Sequence, residues 1–94
     1  IVLKEGMTNE YIRILQNYHS YIHETYPPIP AVNTTGYFGP LTKNSVMAFQ
    51  RQFGLNPNGL VNANTWNEIA NQYSVLKYGY EKQPYQYPGY VITG

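Results

Sequence analysis

Apolar positions in this chain recur with a helical period. Ile12, Leu15 and Ile22, with His19 among them, fall three or four residues apart and so share one helix face. The spacing returns at Thr42, Val46, Phe49 and Phe53, and again at Trp66, Ile69, Ala70 and Tyr73. Each stripe has its own punctuation. Thr8-Asn9-Glu10 supplies an N-cap and a first-turn acid, and Tyr26-Pro27-Pro28 ends the stripe because a residue before proline avoids the helical region. Gly39-Pro40 opens the second stripe, since proline at the first helical position gives up an N–H that has no helical partner anyway. Gly54 closes it as a left-handed cap, with Leu55 set to touch Phe49, and Asn62 caps the third. The pattern predicts helices over residues 9–25, 40–53 and 63–73, an all-α, compact three-helix domain.

Between the stripes the chain repeats itself. Gly36-Tyr37-Phe38-Gly39-Pro40-Leu41-Thr42 is echoed by Gly59-Leu60-Val61-Asn62-Ala63-Asn64-Thr65, with glycines and threonines at one common interval. The unit is a glycine turn, a short extended dipeptide and a capped helix. One residue of each dipeptide should point inward; Phe38 in that place leaves Tyr37 outside. The two turns are expected side by side, with Asn33, Thr34, Thr35, Tyr37 and Asn58 around a shallow polar cleft. Gln16 and Gln50 follow core positions on their helices, and their amides are expected to pair with loop backbone groups. Trp66 opens the third stripe, so burial outranks a surface role.

Past Tyr73 no helical period is legible. Residues 76–94, rich in tyrosine and proline, are expected to form an extended tail or linker after a domain at 1–75, with part of it docked on the helices. Tyr90-Val91-Ile92-Thr93-Gly94 resembles the opening Ile1-Val2-Leu3-Lys4-Glu5-Gly6, and no initiator methionine is present. The expectation is one module of a tandem array, cut from a longer protein.

Composition narrows the function classes. With 43% hydrophobic and 12% charged residues, a core is feasible and the surface is polar mainly through amides and hydroxyls. A formal charge of +1 argues against nucleic acid, including a helix-turn-helix reading, and no apolar run reaches the length of a bilayer span. Cysteine is absent, which removes disulfides, thiolate metal sites and a cysteine nucleophile. His19 and His23 stand one helical turn apart, the geometry of a metal clip, but no third ligand joins them; the expected arrangement is one at the core edge and one in solvent. Glu5, Glu10, Glu24, Glu68 and Glu81 are scattered, no catalytic signature is present, and no cofactor is implied.

Taken in order, Gly6, Ile12, Leu15-Gln16, the Gly36–Thr42 run, Val46, Phe49-Gln50, Gly54-Leu55, Gly59-Leu60-Val61, Thr65-Trp66 and Ile69 resemble the peptidoglycan-binding type 1 domain, over about residues 3–73. The resemblance implies a non-catalytic, extracytoplasmic module that binds glycan strands or stem peptides of the bacterial cell wall. It also implies a linked wall hydrolase, or further repeats, in the parent protein. Under it, Asn33, Thr34, Thr35, Tyr37, Lys43 and Asn58 are the expected ligand contacts, with Lys43, Arg13 or Arg51 meeting a stem-peptide carboxylate. The alternative is a spacer or protein-interaction module of the same fold. The related pro-segment of matrix metalloproteinases inhibits through a cysteine that this chain lacks. Three features depart from the family: Thr35 where an acidic residue is usual, His19 where an aliphatic one is usual, and a longer insert at 26–32.

Overall fold

The structure is a computed structural model that describes residues 1–79. Three helices follow in order: α1 (Glu10–His23), α2 (Pro40–Gln52) and α3 (Ala63–Tyr78). Their starts are those the sequence dictates. Asn9 caps α1 by accepting from the Ile12 N–H at 2.9 Å, and Asn62 caps α3 by accepting from the Thr65 N–H at 3.0 Å. Gly39 precedes α2 with no side chain to offer, and Pro40 follows it. At the other end of α2, Gly54 turns left-handed at φ 72 and the Leu55 N–H donates to the Gln50 carbonyl at 2.8 Å, a Schellman closure.

The predicted stripes are the core. Ile12, Leu15, Ile22, Val46, Phe49, Trp66, Ile69 and Ala70 are buried, joined by Phe38 and Val61 from the two turns and by Ile29 from the 26–32 insert. Ring contacts give the sense of α1 against α3. Trp66 lies against Tyr11 and Tyr18, and Tyr73 against Tyr18 and Tyr21, so the two helices run in the same direction. Among the described residues no helix is long and apolar enough to cross a membrane.

Two features differ from the sequence expectation. Helix α3 continues past Tyr73 to Tyr78, because Ser74 is buried, Leu76 packs on the core and Lys77 Nζ donates to Tyr73 Oη at 2.7 Å one turn back. Gly79, left-handed at φ 81, ends it by donating to the Ser74 and Val75 carbonyls. Residues 76–78 are therefore helix rather than linker. The expectations of a docked tail and of a second copy at 90–94 lie outside the described residues. The other difference is the segment 3–8, to which the sequence assigned nothing. Leu3 exchanges backbone hydrogen bonds with Val61, and Gly6 and Met7 bond Phe38, so this strap ties one turn to the other.

His19 sits in the core rather than at its edge. Its Nδ1 is 2.7 Å from Ser45 Oγ, and that hydroxyl donates to the Pro30 carbonyl at 2.6 Å. Since the Ser45 proton is committed to Pro30, His19 must donate from Nδ1, which leaves Nε2 buried and without a partner among the described residues. Burial pushes His19 down from 6.5 to about 3. His23, half-buried, bonds the Ile29 carbonyl from Nδ1 instead of reaching solvent.

The unfolded chain thus binds a proton at His19 below pH 6.5 that the folded chain refuses until about pH 3, so stability falls as pH drops through that window. Chemical unfolding should show a loss of roughly 2 kcal/mol between pH 6.5 and pH 4.5 beyond that of a His19→Leu variant. Parallel pH profiles for the two proteins would contradict the assignment.

Candidate functional site

A glycine in the left-handed region turns the chain sharply but leaves adjacent amides without secondary-structure partners. The two repeats solve this with the same residue type. In the first, Gln16 Oε1 of α1 accepts from the Thr35 and Gly36 N–H groups, each at 2.9 Å. Its Nε2 donates to the Tyr37 carbonyl at 2.9 Å and to Thr42 Oγ1 of α2 at 3.0 Å. In the second, Gln50 Oε1 of α2 accepts from the Gly59 N–H at 2.9 Å, while Nε2 donates to the Leu60 carbonyl at 2.9 Å and approaches Thr65 Oγ1 of α3 at 3.3 Å. Both glutamines are 1% exposed. Each amide therefore pairs with loop backbone groups, as the sequence led one to expect, and also ties the turn to the helix that follows it.

The clamps decide which way the dipeptides face. Phe38 and Val61 are buried, whereas Tyr37 and Leu60 are 49% and 41% exposed. Around the first turn this leaves a groove of about 250 Å³, walled by Val32, Asn33, Thr35 and Tyr37 on the loop and by Pro40 and Leu41 at the start of α2. Gln16 and Thr42 form its base. The insert at 26–32 sets the loop wall: Ile29 is buried, Ser45 bonds the Pro30 carbonyl, and Ser20 donates to the Val32 carbonyl at 2.8 Å.

Of the expected contacts, Asn33, Thr35 and Tyr37 come together in this groove and Thr34, Lys43 and Asn58 do not. Asn58 belongs to the second turn, where its Oδ1 accepts from the Leu60 N–H at 2.9 Å and from Gln50 Nε2 at 3.2 Å. Thr34 is an exposed loop residue whose carbonyl accepts from Arg13 at 3.3 Å. Lys43 lies over the second turn, its Cγ 2.9 Å from where a Cβ on Gly59 would be, and its Nζ is 3.7 Å from Glu5. The cleft between two turns is thus a groove beside one of them, because the strap occupies the junction. It is also less polar than expected. Leu41, 74% exposed, was missed, although a leucine off the apolar stripe directly after Pro40 was the available signal.

Charge is confined to the margins. Arg13 pairs with Glu10 at 3.4 Å, Arg51 lies by a separate depression with Pro28, and among the described residues the groove's only ionisable side chain is the Tyr37 phenol. Among the described residues no group of three or more His, Cys, Asp or Glu side chains is placed to hold a metal.

A family model for a peptidoglycan binding domain matches residues 9–69, which spans both clamps, both turns and the groove. No curated protein and no solved structure matches the chain.

Replacing Gln16 by Met keeps the volume and removes the clamp, stranding the buried Gly36 N–H and taking one partner each from the Thr35 N–H and the Tyr37 carbonyl. Urea unfolding of Gln16→Met should show a loss of roughly 3 kcal/mol, as expected for buried groups left unpaired. A loss under about 1 kcal/mol would mean that the turn does not depend on this amide.

Proposed function

Since the chain belongs to the peptidoglycan binding domain family, we propose that it binds peptidoglycan without catalysing a reaction, through the groove beside Tyr37. The observation that carries this reading is that the half-exposed Tyr37 ring and the solvent-exposed Leu41 line one groove whose backbone is fixed by the Gln16 clamp. Exposed apolar side chains on a rigid loop lose little conformational freedom on binding, and a tyrosine ring suits the C–H face of a pyranose. Asn33 adds a hydrogen-bonding carboxamide at the rim.

In this proposal the module anchors a larger exported bacterial protein, such as a wall hydrolase or a tandem array, in the cell wall. The groove is small, so one copy holds weakly and retention comes from several copies or from a linked wall-binding enzyme. Thr34, Lys43 and Asn58 then serve the turns and the strap rather than the ligand.

Sedimentation with purified, protein-free sacculi tests the reading. The chain should pellet with sacculi, and Tyr37→Ala, an exposed position, should keep its thermal melt while its affinity falls roughly 5–30-fold, the equivalent of 1–2 kcal/mol. A chain that stays in the supernatant, or a Tyr37→Ala variant that pellets as well as the parent, would favour a spacer or protein-interaction module.

A further inference from the structure

The groove's chemistry narrows which part of peptidoglycan fits it, and this step rests on the wall-binding proposal above. Glycan strands are built of pyranose rings bearing uncharged acetamido groups; stem peptides present carboxylates and amines. A site built for carboxylates supplies a cation or a fan of free N–H groups. This groove supplies neither. Among the described residues, its one ionisable side chain is the Tyr37 phenol. Nearby cations are engaged elsewhere, Arg13 with Glu10 and the Thr34 carbonyl, Lys43 with Glu5. The polar base is also spent. Gln16 uses both amide atoms on the turn and on Thr42, and Thr35 Oγ1 accepts from the Tyr37 N–H at 3.1 Å.

What remains open toward a ligand is a short inventory. The Asn33 carboxamide and the Tyr37 hydroxyl make no hydrogen bond to a described residue. Around them stand the Tyr37 ring and the aliphatic surfaces of Val32, Pro40 and Leu41. An acetamido sugar offers the complement of each: a C–H face for the ring, a methyl for the aliphatic wall, and one amide donor and one acceptor for a single carboxamide. The groove's 250 Å³ lies below the usual range of ligand pockets, about 300–1,000 Å³, which suits one sugar ring rather than a long strand segment.

We propose that the groove is a subsite for one uncharged N-acetylated pyranose of the glycan strand, read by Tyr37, Leu41 and Asn33, and that stem-peptide carboxylates play no part in it. Binding through it is then insensitive to salt, because no ion pair is screened.

The test is amide and side-chain chemical-shift mapping on the intact chain with three probes. These are a β-1,4 N-acetylglucosamine tetramer, cellotetraose with the same backbone but hydroxyls for acetamides, and a synthetic stem pentapeptide. The N-acetylglucosamine tetramer should shift Asn33, Thr35, Tyr37 and Leu41. Cellotetraose should bind at least about tenfold more weakly, since a site that pairs an amide is left unpaired by the analogue. The stem peptide should leave the groove unmoved. Asn33→Ala, in an exposed loop, should erase the preference between the two sugars while leaving the thermal melt unchanged, and sacculus binding should be equal at 50 and 500 mM sodium chloride. Groove shifts with the stem peptide, or equal binding of the two tetramers, would overturn the proposal. So would a silent groove in a chain that still pellets with sacculi, which leaves wall binding standing and this subsite refuted. A chain that binds neither sacculi nor tetramer refutes both.

Discussion

A buried primary amide at each glycine turn is the constraint on which the rest depends. The turns bond part of their own backbone, Thr35 to Asn33 and Gly39 to Tyr37 in the first, but among the described residues the buried Gly36 and Gly59 N–H groups find no backbone acceptor. Gln16 and Gln50 meet that need with acceptor and donor on one side chain of the right length. An apolar residue in either place strands the amides; a charged one costs far more to bury. Because each glutamine also reaches the threonine of the next helix, the clamp fixes the angle at which that helix leaves the turn. The fold is in this sense two copies of one hydrogen-bonded joint, sharing α2.

The joint has a consequence at the surface. With Phe38 held inward, Tyr37 has no route to the core and stays half-exposed beside the first turn of α2. The second copy places Leu60 in the equivalent position, but there Lys43 and the strap lie against the turn. Identical joints thus yield one open groove and one covered turn. The difference comes from Lys43, which lies over Gly59, and from the insert at 26–32, which walls the groove at the first turn.

Most of the helical framework was legible because it rests on local rules. Stripe spacing, caps at Asn9 and Asn62, and the Gly39-Pro40 and Gly54-Leu55 signals each act within a few residues. The glutamine clamps were legible because a glutamine directly follows a core position, Leu15 and Phe49, on each of the first two helices. What escaped has a non-local or mixed signal. The continuation of α3 rests on a buried serine and a Lys77–Tyr73 pair rather than on an apolar stripe. The strap is a run of backbone pairing whose partners lie far along the chain, and no pattern in Leu3–Gly6 announces it. The site was half legible: Asn33, Thr35 and Tyr37 could be grouped by adjacency, but only the fold shows Asn58 and Lys43 spent on the second turn.

Native-state hydrogen exchange at the Gly36 and Gly59 amides tests the clamp most directly. Both are loop positions in sequence, yet each donates to a buried glutamine carbonyl. The account predicts protection close to that of the core helices, because opening either amide requires breaking the joint that orders the fold. Exchange at the rate of an open loop, with the helices still protected, would contradict it.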